Sequence, residues 1–161
     1  MSANKASLQY AVDKGFEIGN HSMTHATYTD LDMAGVKKEI DDCDNAVKEA
    51  IGYEMKLIRY PGFATNAEID AMVKSDYGRP TINGYGIGED DTATVADLQN
   101  GILNAAKDGR VILMHCQSKT LAALDKALNE LTQRGYEFVT VSELFGGTEK
   151  IPLGSQQKDA K

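Results

Sequence analysis

At 161 residues the chain is long enough for one hydrophobic core and short for two, and its 42% apolar and 25% charged residues are ordinary for a folded domain. Seventeen basic residues against 24 acidic ones give a net charge of −7, which argues against a duplex nucleic-acid partner, because phosphate neutralisation needs a basic face. Apolar runs such as Val111–Met114 are strand-length, well under the ~18–20 residues of a membrane-spanning helix.

The predicted elements alternate between helix and strand. Residues ~4–14 form a helix with Leu8, Ala11 and Val12 on one side and Gly15 as its stop. Phe16–Asn20 reads as a short strand running into His21. Val36, Ile40, Cys43, Val47 and Ile51 recur at helical spacing up to Gly52, with Asp30 and Asp32 near the positive end of that helix. Leu57–Tyr60 is a strand stopped by the turn Pro61-Gly62, and a helix over Ala67–Lys74 and a strand over Thr81–Tyr85 follow. Thr94 and Asp97 have capping-box spacing and open a helix through Leu98, Ile102 and Ala106, which Gly109 closes. Val111–Met114 is a continuous apolar run, expected of a strand buried on both faces. Leu121, Leu124, Leu128 and Leu131 mark the next helix, and Phe138–Val141 the last strand. Residues 1–145 form the folded domain in this reading, and 146–161 a flexible polar tail.

Such a βα series implies a parallel α/β sheet covered by helices. About five strands are too few to close a (β/α) barrel, so the expected architecture is a partial or open one. Chemistry in parallel α/β folds gathers at the C-terminal strand ends. All three histidines fall there: His21 and His25 after the first strand, and His115 after Val111–Met114. Arg59-Tyr60 ends another strand and Glu89-Asp90-Asp91 follows a fourth, placing four polar strand ends on one rim.

His21 and His25 form an H-x-x-x-H pair. On a helical or turn-like segment two imidazoles at this spacing share a face and can chelate one metal ion, although two exposed surface histidines would read the same way. Ser22 stands where a zincin would carry glutamate, which excludes a metalloprotease of that type. His115, partly buried at a sheet edge, suits a structural hydrogen bond or a general acid. Arg59 suits a carboxylate partner, in an ordinary ion pair or an oriented one. The Gly84–Gly88 run lacks the G-x-G-x-x-G pattern of a phosphate loop.

Taken in order, these segments resemble the polysaccharide deacetylase family, carbohydrate esterase family four. Gly15–His25 resembles its second motif, H-[ST]-x-x-H; Arg59-Tyr60-Pro61-Gly62 is similar to its third; Ile112–His115 resembles its fifth; and Gly135–Thr140 matches its final strand. The resemblance implies a distorted parallel (β/α) barrel that removes acetyl groups from a glycan such as chitooligosaccharide or peptidoglycan. It makes His21 and His25 ligands of a divalent metal, zinc foremost, with cobalt, nickel or manganese as alternatives. His115 becomes the general acid, Arg59 the residue that orients a catalytic aspartate, the Tyr60 backbone an oxyanion donor and Leu113 a wall of the acetyl pocket. It also implies an exported or cell-surface address, although Met1–Lys5 shows no apolar signal core.

Two departures stand against it. No Asp-Asp pair precedes His21, so the family's first motif, with its general base and third metal ligand, is missing from this chain. The Asp-Trp element of the fourth motif is replaced by Glu89-Asp90-Asp91-Thr92, in which Asp91 is expected to tune His115, with Asp90 next to it. The alternative is therefore a catalytically inactive carbohydrate-binding relative. Loss of a strand also leaves an exposed sheet edge through which copies are expected to self-associate.

Overall fold

A computed structural model describes residues 4–89 and 92–147. In chain order these form α1 (Lys5–Asp13), α2 (Met33–Ile51), α3 (Ala67–Met72), β1 (Tyr85–Gly86), α4 (Val95–Ala105), β2 (Ile112–Leu113), α5 (Ser118–Gln133) and α6 (Val141–Phe145). The described residues divide into two compact units, one holding 4–82 and 140–147 and the other 83–89 and 92–139.

The first unit is built on three adjacent extended segments, bridged in parallel from Asn20 to Ile58 and from Ile58 to Thr81. Asn20 N–H donates to the Leu57 carbonyl and the Asn20 carbonyl accepts from Arg59, so the pairing is continuous across the end of the strand. These segments are much shorter as ladders than the predicted strands. Phe16 is exposed and the Phe16–Gly19 stretch carries no ladder bond among the described residues, so pairing alone does not hold it. The core beneath is Tyr28, Val36, Ile40, Ile58, Tyr60, Ile69, Met72 and Val73. Burying each large apolar side chain contributes roughly 1.5–3 kcal/mol.

Helix α2 carries the firmest local signals. The Asp32 carboxylate accepts the Gly35 N–H as an N-cap, and Gly52 at φ 69° supplies the left-handed residue that ends it. Cys43, expected in the core, is only partly buried, because the inward stripe runs through Val36, Ile40 and Val47. Helix α3 is capped by Asn66 and widens into a π-type turn at Val73–Tyr77.

The second unit pairs β1 with β2 in parallel, Tyr85 opposite Ile112 and Gly86 opposite Leu113. Helices α4 and α5 pack against each other through Leu98, Ile102, Ala123, Ala127 and Leu131. The Thr94–Asp97 capping box is present, but α4 ends at Ala105 and Gly109 belongs to a separate turn. Two apolar expectations fail here. Val111–Met114 is half-buried, because β2 has a ladder neighbour on one side only among the described residues. Leu121 is 69% exposed, since the small residues Ala123 and Ala127 form the contact stripe of α5. Phe138 and Val139 are likewise exposed and have no ladder partner among the described residues; in place of a strand, Thr140 caps α6 with Glu143. Of the predicted tail, residues 148–161 lie outside the described residues.

Gly101 marks the tightest approach in this unit, where α4 meets the Ile87 backbone. A Cβ at this position would fall inside contact distance of the Ile87 carbonyl oxygen. Gly101→Ala should therefore destabilise the fold by about 1–3 kcal/mol despite the better helix propensity of alanine, and thermal unfolding of the two proteins measures it.

Candidate functional site

Asn20 is fully buried at the end of the first parallel segment. Its amide donates to the Ile40 carbonyl at 2.9 Å and to Asp44 Oδ1 at 2.8 Å, and its side-chain oxygen accepts the Ser22 N–H at 2.9 Å. Asp44 is held in turn by Arg79, whose two terminal nitrogens lie 2.6 and 3.0 Å from its oxygens. Arg79 also donates to the Met55 carbonyl at 3.0 Å and lies over the Tyr77 ring. A buried side-chain amide so nearly saturated has one orientation, and the chain that follows it inherits that orientation.

That chain is the H-x-x-x-H segment, and it is a turn rather than a helix. Ser22 and His25 both sit at positive φ, 65° and 64°, a conformation that costs an L-residue free energy unless its surroundings impose it. The Ser22 hydroxyl oxygen accepts the His25 N–H at 2.8 Å. Glu39 on α2 accepts the N–H groups of Met23 and Thr24 at 3.1 and 2.8 Å and the Thr24 hydroxyl at 2.9 Å. Burial opposes ionisation of Glu39, yet the donors from Thr24, Met23 and Ser22 hold its carboxyl below the usual range. The two imidazoles thus meet edge to face with ring centroids 4.9 Å apart.

His21 is gripped by one residue at both nitrogens. Nδ1 lies 2.7 Å from the Arg59 carbonyl oxygen and Nε2 lies 3.0 Å from Arg59 Nη2. A carbonyl only accepts and a guanidinium only donates, so Nδ1 carries the proton and Nε2 presents its lone pair. This is the tautomer of a histidine that ligates metal through Nε2, its other nitrogen anchored by a backbone carbonyl. Arg59 continues into Tyr60, whose ring is buried, and into the tight turn Pro61–Phe63. Among the described residues, no group of three or more His, Cys, Asp and Glu side chains stands ready to hold a metal ion. The side chains of His21 and His25 are close enough, and His21 is in the right tautomer, to suit two ligands of such an ion.

In the second unit His115 lies two residues beyond the end of β2. Its ring is 60% exposed rather than partly buried, because the strand stops after two residues and the backbone turns at once into α5. Its partner is Glu89, two residues before the predicted Asp91. Glu89 Oε2 lies 2.6 Å from His115 Nδ1, and the carboxylate accepts the His115 backbone N–H at 2.8 and 2.9 Å and the Thr120 hydroxyl at 2.6 Å. Asp91 and Asp90 lie outside the described residues. Burial works against the charge on Glu89, whose side chain is 6% exposed, but the Thr120 and His115 donors hold its carboxyl below the ordinary glutamate range. Nδ1–H is thereby committed to Glu89, leaving Nε2 as the outward nitrogen. Leu113 lies across the place where Gly84 would carry a Cβ, so it has a packing role between the strands.

Sequence reasoning missed Asn20, Glu39 and Glu89 as functional supports. Asparagine ending a strand directly before H-x-x-x-H was a usable signal for the first, and nothing local marks Glu39.

Each unit carries short parallel extended segments packed on helices, an α/β organisation. Residues 1–79 match the polysaccharide deacetylase family. The fold superposes with a TM-score of 0.86 on the Xyl-CE4 domain of a multidomain xylanase from the hindgut metagenome of Trinervitermes trinervoides, at 30% identity, over 99% of this chain and 78% of that one. A family 4 acetyl xylan esterase from Clostridium thermocellum, solved with a cobalt ion, gives a TM-score of 0.81 at 27% identity over 89% and 71% of the two chains. The peptidoglycan-N-acetylglucosamine deacetylase PgdA of Listeria monocytogenes is 34% identical over 159 residues, 97% of this chain and 33% of that protein. The chain belongs to the polysaccharide deacetylase family, carbohydrate esterase family four. It spans about a quarter to a third of the length of the first curated relatives it matches.

Two outcomes follow from this geometry. Asp44→Ala strips a partner from buried Asn20 and from Arg79 together; it should cost about 2–4 kcal/mol and speed hydrogen exchange at Ser22–His25, read by mass spectrometry. For Glu89 the folded carboxyl lies below its unfolded value, so its contribution is full above the ordinary glutamate range near pH ~4.3 and fades as pH falls through the folded value. Glu89→Gln should cost about 2 kcal/mol at neutral pH, and the gap from the parent should shrink in acid, as denaturant midpoints against pH will show.

Proposed function

We propose that the chain carries metal-dependent hydrolase chemistry that removes N- or O-acetyl groups from a polysaccharide. The observation that supports it most is the His21–Arg59 arrangement, which presents the Nε2 lone pair beside a second imidazole. His21 and His25 would hold the ion, zinc foremost; that the Clostridium thermocellum esterase was solved with a cobalt ion supports a divalent metal. When bound, a divalent ion supplies a Lewis acid for the acetyl carbonyl and lowers the pKa of water.

The chain's own residues would do the rest. The His115 ring, with Nδ1–H on Glu89, donates a proton from Nε2 to the departing amine or alcohol. The Tyr60 backbone N–H stabilises negative charge developing on the acetyl oxygen, and Leu113 limits the space for the methyl group. Arg59 orients a catalytic carboxylate, and Asp91, outside the described residues, is the candidate for tuning His115. The substrate class is an acetylated glycan of the kind named for the relatives, xylan or peptidoglycan, and an exported or cell-surface address accords with it. Among the described residues, no helix is long and apolar enough to cross a membrane.

A second reading, a glycan-binding relative without turnover, is favoured by one observation. Among the described residues, the two histidines are not joined by a third His, Cys, Asp or Glu side chain in a group able to hold a metal ion.

Acetate release from acetylxylan, peptidoglycan and N-acetylated chitooligosaccharides, with zinc or cobalt added, separates the readings. Slow, chelator-sensitive release that His115→Ala lowers by about 10²-fold is expected for the hydrolase. Release indifferent to both chelator and His115→Ala would defeat it, and glycan binding without release would establish the second reading.

A further inference from the structure

The contact between Arg59 and His21 places a fixed cation where a metal would bind. Nε2 of His21 has one lone pair, and Arg59 Nη2 takes it at 3.0 Å. Any ion ligated through that nitrogen needs the same lone pair. The guanidinium keeps its charge at every working pH, so it opposes a dication at the same place. Its main chain is tied down, with the Arg59 N–H donating to the Asn20 carbonyl and the Arg59 carbonyl accepting from His21 Nδ1. The side chain is therefore the part that can yield. Among the described residues no carboxylate pairs with this guanidinium to draw it elsewhere.

We infer that Arg59 is a removable plug of the dihistidine half-site. Its guanidinium stands in for the ion at His21 Nε2, keeps the ring in the ligating tautomer through its own carbonyl, and has to swing away before metal enters. The inference rests on the metal-ligand reading of His21 and His25. It adds a role to Arg59 that the orientation of a catalytic carboxylate does not contain: a carboxylate that captures the guanidinium would uncover Nε2, coupling arrival of the acidic partner to metal loading.

Cobalt(II) titration of the parent, Arg59→Met and His21→Ala, followed by calorimetry and by the ligand-field absorption band, tests it. Arg59→Met should bind cobalt about tenfold more tightly than the parent, and His21→Ala should lose binding. Equal or weaker binding by Arg59→Met, with binding still lost in His21→Ala, would overturn the plug and leave the metal reading intact. No binding by parent or Arg59→Met would overturn both. Should Arg59→Met lose its circular dichroism spectrum, nitrogen-15 NMR of the parent decides. Added zinc should shift the Arg59 guanidinium and His21 Nε2 signals together, whereas a His21 shift with an unmoved Arg59 signal refutes the inference.

Discussion

A buried asparagine cannot be left with unmet hydrogen bonds, and Asn20 meets that demand by recruiting Ile40 and Asp44 of α2 and the backbone of Ser22. Much of the first unit can be traced from this single constraint. Asp44 must face inward, so Arg79 comes to neutralise it, and Arg79 fixes Met55 at the start of the neighbouring segment. The strand end, the long helix and the third extended segment are thus joined by polar bonds as well as by the apolar cluster. Such a network favours one arrangement over near alternatives, because each member loses its partner if another moves.

The histidine turn is the beneficiary. Two residues at positive φ within four positions form an unfavourable backbone path, stabilised here by Asn20 at one end and Glu39 at its centre. Preorganisation of this kind moves the ordering cost from ligand binding to folding. The His115 group uses the same device with a different part. A nearly buried Glu89, saturated by Thr120 and by the backbone and ring of His115, aims an otherwise exposed imidazole. In the first unit a carboxylate from α2 holds the backbone between the two histidines, and in the second a carboxylate holds the imidazole itself.

Family membership and site state therefore answer different questions. The fold follows the polysaccharide deacetylases. The electrostatics at His21 are set by its own partner, the Arg59 guanidinium 3.0 Å from Nε2.

Helix positions were legible in the sequence because their signals are local. The Asp32 and Thr94 caps, the glycine stop at Gly52 and the stripe through Val36, Ile40 and Val47 each act within a few residues. The histidines were legible too, as residues that follow apolar runs. Strand lengths were not, since an extended segment becomes a ladder only where a neighbour pairs with it, and Phe138–Val139 has none among the described residues. Nor were the supports. Glu89 lies 26 residues from His115, Glu39 15 from Thr24 and Arg59 38 from His21, and only the folded backbone brings such pairs within hydrogen-bond reach. The sequence by itself determined which residues could do chemistry; the tertiary structure decided which nitrogen each imidazole offers, because that depends on partners the chain order does not reveal.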